Sequence, residues 1–99
     1  MTKRTVRYMS DPGHGWLAVK FSDLEALDIL DKVSAYSYFR IAKDNTVMVY
    51  LEEDCDMPIF TQAAADAGWK VTIRESFSNK QSKIRNYASY PPGIFKKVA

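Results

Sequence analysis

The chain has one cysteine, one histidine, four glycines and four prolines in 99 residues. Cys55 has no second thiol in the chain, so no intramolecular disulfide forms. His14 stands alone, which excludes a multi-histidine metal site within one copy. No apolar run approaches the roughly 20 residues that cross a bilayer as a helix, so no membrane partner is expected. The basic start is followed by no secretory apolar segment, and the expected setting is the reducing cytoplasm. There is no internal repeat and no low-complexity tract.

Acidic residues are scarce at both ends. Residues 1–20 hold Asp11 against Lys3, Arg4, Arg7 and Lys20, a local charge of +3. Residues 70–99 hold Glu75 against Lys70, Arg74, Lys80, Lys83, Arg85, Lys96 and Lys97, or +6. The middle, 21–69, carries −7, so the net charge of +2 conceals a strongly sorted chain. Sorted charge is an argument about partners rather than about fold. With 46% hydrophobic and 26% charged residues, the composition is that of a globular domain. The chain is long enough to bury a core without a metal or disulfide.

Periodicity predicts an α+β fold in the order β-β-α-β-β-α-β, a mainly antiparallel sheet with two helices on one face. Thr5–Met9 alternates and reads as a strand at a sheet edge. A dense turn at 10–15 precedes a second strand, Trp16–Lys20. Ser22-Asp23-Leu24-Glu25 has the form of a capping box and predicts a helix running toward Ser34. Tyr36–Ala42 and Thr46–Glu52 form a hairpin around Lys43-Asp44-Asn45, with Val47, Val49 and Leu51 on one face and Met48, Tyr50 and Glu52 on the other. Asp56 is the expected N-cap of a second helix, with Pro58 in its first turn and Gly68 just beyond its end. Trp69–Arg74 alternates as a last strand. Residues 1–77 are read as the core and 78–99 as a basic, aromatic extension of the same domain, partly ordered.

Three segments together, Asp11-Pro12-Gly13-His14-Gly15-Trp16, Tyr50-Leu51-Glu52-Glu53-Asp54-Cys55-Asp56 and Ile84-Arg85-Asn86-Tyr87, resemble a family of short proteins carried by phages, prophages and plasmids. The resemblance spans about residues 6–90. It implies a mobile-element origin and action inside the host cell. It carries no catalytic residues to transfer, and no cofactor.

Four candidate chemistries compete. Of the carboxylates Glu52, Glu53, Asp54 and Asp56, the last two read as caps of the second helix, and the four together as an acidic interface or as hard-cation ligands, in falling order of weight. Asp11 and His14 mark a loop in which a lone imidazole is more often structural than catalytic. Cys55 with His14 is the raw material of a thiol hydrolase, but its acidic neighbours disfavour the thiolate. Lys80, Lys83, Arg85, Tyr87 and Tyr90 interleave cations with rings, the composition of a nucleic-acid surface; the competing reading packs Tyr87 and Tyr90 on the core and leaves the lysines wet. The leading expectation is a non-enzymatic binding protein with no catalytic set and no metal, acting on a host protein or nucleoprotein complex, for instance by inhibiting a host defence. Nucleic-acid binding through the C-terminal segment is the first alternative, and a small metal-dependent or thiol hydrolase the second. A second copy of the chain is a further candidate partner, its acidic middle meeting a basic end.

Overall fold

The computed structural model describes residues 2–80 and 82–91. Six strands form one mixed sheet: β1 Lys3–Ser10, β2 Gly15–Lys20, β3 Tyr38–Ile41, β4 Val47–Glu52, β5 Lys70–Phe77 and β6 Ala88–Ser89. Their spatial order is β5-β1-β2-β4-β3-β6. Every neighbouring pair is antiparallel except β1 and β5, which run parallel. Two helices, α1 Phe21–Ala26 and α2 Met57–Asp66, complete the expected α+β order. β1 is an interior strand rather than an edge, because the parallel β5 lies outside it. The sixth strand comes from the C-terminal extension.

Alternation along the strands divides the apolar residues between the two faces. Leu17 and Val19 of β2, Val49 and Leu51 of β4, and Val6 of β1 meet Leu24, Ile29, Val33 and Phe60 in the main core beneath the helices. The opposite face carries Trp16, Ala18 and Tyr50, with Met9, Tyr38 and Met48 beside them. Among the described residues no α-helix covers this second face. The chain after β5 crosses it instead: a 3₁₀ turn at Lys83–Asn86 sets the buried Ile84 on the Trp16–Tyr50 cluster, and β6 then pairs with β3. Tyr90 turns around that edge into the main core, its hydroxyl donating to the Leu30 carbonyl. Residues 82–90 are thus part of the domain, and Lys96 and Lys97 lie outside the described residues.

Both helices end in the same way. At α2 the Gly68 amide bonds Ala65 O and the Trp69 amide bonds Ala64 O, with Gly68 at φ +77°. This is a Schellman ending with glycine in the left-handed position. At α1 the Asp28 amide bonds Glu25 O and the Ile29 amide bonds Leu24 O, with Asp28 at φ +59°. The helix expected to reach Ser34 therefore stops at Ala26, and a 3₁₀ turn at Leu30–Lys32 follows. The capping box is not formed either. Lys20 is the N-cap and no side chain caps the helix, while the Asp23 carboxylate receives Arg4 Nε at 2.9 Å.

Asp56 precedes α2 as expected but makes no side-chain cap bond. Its carboxylate, 1% exposed, accepts from the Ser34 amide at 3.1 Å, from Ser34 Oγ at 2.7 Å and from Ser37 Oγ. It fastens the 34–37 loop beneath the sheet, and the fully buried Ser37 passes the network on by accepting from the Glu52 amide. Removing this carboxylate strands the buried Ser37 hydroxyl and the half-buried donors of Ser34, an unsatisfied buried donor costing on the order of 1–3 kcal/mol. Asp56→Ala is expected to lower unfolding free energy by about 2–4 kcal/mol, read as the shift of the urea midpoint at constant slope.

Two phenols give the fold an alkaline limit. Burial, with the Glu53 carboxylate second, pushes Tyr8 up to about 12, and burial with Asp31 and Asp56 does the same for Tyr90. A group whose pKa is higher folded than unfolded adds stability that is complete below its unfolded value, near 10, and is lost as pH rises toward 12. The thermal midpoint is expected to fall across pH 10–12, and to fall less steeply in Tyr90→Phe than in the parent.

Candidate nucleic-acid interface

The strand register brings the cations of the chain's two ends onto one surface. Arg7 and Arg74 are direct neighbours across β1 and β5, as are Lys3 and Lys70. Arg7 also lies opposite Ala18, which belongs to the helix-free face. Lys20 lies opposite Met48, and Met48 opposite Arg40, on the same face. Six strand cations, Lys3, Arg7, Lys20, Arg40, Lys70 and Arg74, therefore share this face, and all six are exposed. None forms an ion pair among the described residues. Glu52 is the one strand carboxylate of the same parity, and it is buried, its Oε2 accepting from the Asp54 and Cys55 amides at 2.9 Å. The acids of α1 and its turn, with Glu75 on β5, lie on the helix side, Glu75 beside Tyr8.

The C-terminal segment forms one wall over this floor. A groove of about 500 Å³ runs between strap and sheet, ringed by Arg7, Arg40, Arg74 and Lys83 and floored by Met9, Ala18, Met48, Tyr50 and Tyr87. The Tyr50 and Tyr87 rings are 5.1 Å apart, and the Arg40 guanidinium stacks 5.6 Å from the Tyr87 centroid. Cations around a ring-lined floor suit a ligand with phosphates and flat bases.

Asp11 holds the strap down. Its buried carboxylate accepts from Gly13 and His14 amides at 2.9 Å, from the Ser82 amide at 2.8 Å, and from Arg85 Nε and Nη2 at 2.9 and 3.0 Å. The Arg85 guanidinium, then these amide donors, hold the Asp11 carboxyl well below the usual carboxylate range. Arg85 also lies 5.3 Å from the Trp16 ring. A Cβ on Gly13 would come within 2.8 Å of Arg85 Nη2, so the loop's glycine makes room for the pair.

These positions correct several expectations. Arg85 is neutralised by Asp11 and is not a free surface cation. Tyr90 is interior and Tyr87 half-buried, while Lys80 and Lys83 are exposed, the arrangement in which rings pack and lysines stay wet. The acidic run does not form a continuous surface: Asp56 is in the interior, Glu52 closes its own loop, and Glu53 receives the Tyr8 hydroxyl, leaving Asp54 the exposed carboxylate. The decisive cations, Arg7, Arg74, Lys20 and Arg40, were each unremarkable in sequence. The signal lay in their parity: Lys3, Arg7, Lys70 and Arg74 share one face of β1 and β5, while the other charged residues of these strands, Arg4 and Glu75, fall on the opposite face.

A second cleft, of about 290 Å³, lies at the far end of the strap among His14, Trp16, Tyr36, Tyr38, Glu52, Asp54, Cys55 and Arg85. It gathers the residues of the hydrolase reading. Its chemistry does not favour a nucleophile, because a hydrogen bond to Glu52, then burial and the charges of Glu52, Asp56 and Asp54, push the Cys55 thiol up. Ligand atoms of His14, Glu52 and Glu53 lie within 4.8 Å of one another. Both carboxylates already accept hydrogen bonds, and His14 Nδ1 is 3.8 Å from Glu52 Oε1.

No protein-family model, no curated protein and no solved structure matches the chain.

Because the folded-state Asp11 pKa is depressed, its contribution to stability is present above the unfolded value near 4 and is lost as pH falls below it. Asp11→Asn is expected to release the strap. Amide exchange of Ile84–Tyr90 should accelerate at pH 7 while the β2·β4 amides stay protected, and the parent should approach the variant's exchange pattern as pH drops below 4.

Proposed function

We propose that this protein is a non-enzymatic binding module whose helix-free sheet face takes nucleic acid in the groove beside the C-terminal strap. The observation that carries this reading is the sharing of one face by six exposed strand cations with no ion pair among the described residues, three of which, Arg7, Arg40 and Arg74, line the groove. Cations that no carboxylate neutralises are available to displace counterions from a phosphate backbone. The groove favours single strands, whose bases are free to stack on the half-buried Tyr87, itself backed by Tyr50. The interface expected of the C-terminal segment alone thus widens to the sheet, with Lys83 on its rim and Tyr87 in its floor. Resemblance to mobile-element proteins supports a target inside the host cell, as free nucleic acid or as the nucleic-acid part of a host complex.

The test is anisotropy of labelled single- and double-stranded oligonucleotides across a salt series. Binding should weaken steeply with salt. The double variant Arg7→Ala/Arg74→Ala should bind about tenfold more weakly, with the slope of log K against log salt reduced by about 1.5. Lys32→Ala, on the turn after α1, should match the parent. Equal affinity of the parent and the arginine double variant, or no binding at low salt, would sink the reading.

A further inference from the structure

We infer that β5 is a dimerisation strand that pairs antiparallel with β5 of a second copy, joining two sheets edge to edge. β5 is eight residues long and ends the sheet, and no described residue pairs with its outer side. Ile73 and Phe77, two of its residues, are 39% and 63% exposed. A long, exposed edge is a template for another strand, and natural proteins blunt such edges with proline, bulges, short length or charged side chains. β5 has no proline and no bulge, and its charges, Lys70, Arg74 and Glu75, leave the edge open only to a partner whose register keeps like charges apart.

The hydrogen bonding fixes which residues face the newcomer. The Lys70 amide bonds inward to Thr2 O at 2.8 Å and the Ser78 amide inward to Ser10 O at 2.9 Å. Backbone groups alternate in direction along a strand, so the even-numbered residues serve β1 and Val71, Ile73, Glu75 and Phe77 present N–H and C=O outward. An antiparallel partner must therefore pair odd residue with odd residue. Centring the pair on Ile73 sets Ile73 against its own copy, Val71 against Glu75 and Phe77 against Trp69. On the other face the same register sets Arg74 against Thr72 and Lys70 against Ser76. Sliding by two residues per chain pair sets Arg74 against Arg74 in one direction and Lys70 against Arg74 in the other, and like charges directly opposed are destabilising. The Ile73-centred register alone uses the whole strand without such a conflict, and its two-fold symmetry closes the assembly.

This interface is independent of the nucleic-acid reading, though it would align two basic faces in one surface. It differs from the acidic-to-basic association read from the sequence, since no carboxylate–cation pair is needed.

The test is sedimentation of the full chain without nucleic acid, over a micromolar to submillimolar series. A monomer–dimer equilibrium is expected, and a monomer throughout overturns the proposal whatever the oligonucleotide binding shows. Ile73→Pro removes an amide that points only outward, so it should give a monomer with the parent's far-UV spectrum. Should that variant fail to fold, crosslinking decides. In a Cys55→Ser background, Ile73→Cys places two thiols at paired positions, about 5.5 Å apart between Cα atoms and within disulfide reach. Phe77→Cys places them about 27 Å apart at ~3.4 Å per residue. Mild oxidation should link the first and not the second. Equal linking of both, or linking of neither, overturns the register.

Discussion

Everything distinctive about this molecule depends on one constraint: both helices pack on the same side of a pleated sheet. Successive strand residues point to opposite faces, so covering one face commits half of each strand to the core and leaves the other half to whatever the sequence places there. In β1 the committed half includes Val6 and the free half is Lys3, Thr5 and Arg7. In β5 the free half is Lys70, Thr72, Arg74 and Ser76. Charge sorted along the chain becomes charge sorted in space because the basic ends supply adjacent strands, while the acidic middle supplies the helices and turns.

The strap is the second element of this arrangement, and its anchor explains a residue that composition alone assigns wrongly. Arg85 belongs by type to the basic surface. It instead spends its guanidinium on Asp11, the one acid of the N-terminal twenty residues. A carboxylate that accepts from three backbone amides and a bidentate guanidinium is fully committed, and it joins the β1–β2 turn to the segment that follows β5. Without that pair the start of the strap would be held only by Ile84 and Tyr87 on the sheet, with β6 and Tyr90 fastening its far end, and the wall of the groove would loosen. Asp56 does a similar task on the other side of the sheet. Both carboxylates stood out in the sequence for the wrong reason, Asp11 as a loop group and Asp56 as a helix cap or interface group, when each satisfies donors of a distant segment.

What was legible from sequence followed local rules. The faces of β4 are as its alternation predicts, Val49 and Leu51 inward and Met48 and Tyr50 outward. The hairpin turns where Asn45 takes a positive φ of 68°, and α2 runs from Pro58 in its first turn to Gly68 at its end. The failures were nonlocal, or required a rare conformation. α1 stops early because Asp28 adopts the left-handed region that glycine usually fills, and aspartate is a weak marker for it. The pairing of β1 with β5 joins residues about seventy positions apart, so the adjacency of Arg7 and Arg74 had no local signature. The candidate groove depends on that adjacency, which is why the sequence pointed to the C-terminal cations and passed over those of the strands.

The small net charge might be thought to argue against a polyanion partner, but distance decides otherwise. The molecule measures 28 Å in each of its two shorter directions, whereas exposed charges are largely screened beyond about 8 Å at physiological ionic strength. A phosphate at the sheet face therefore meets Arg7, Arg40, Arg74 and Lys83 at close range and the acids beyond the helices hardly at all. At longer range, and at low salt, the same acids act against the wrong approach: a polyanion nearing the helix side is repelled and one nearing the sheet is drawn in. On the proposed reading the opposed charges do not cancel the interaction; they orient it.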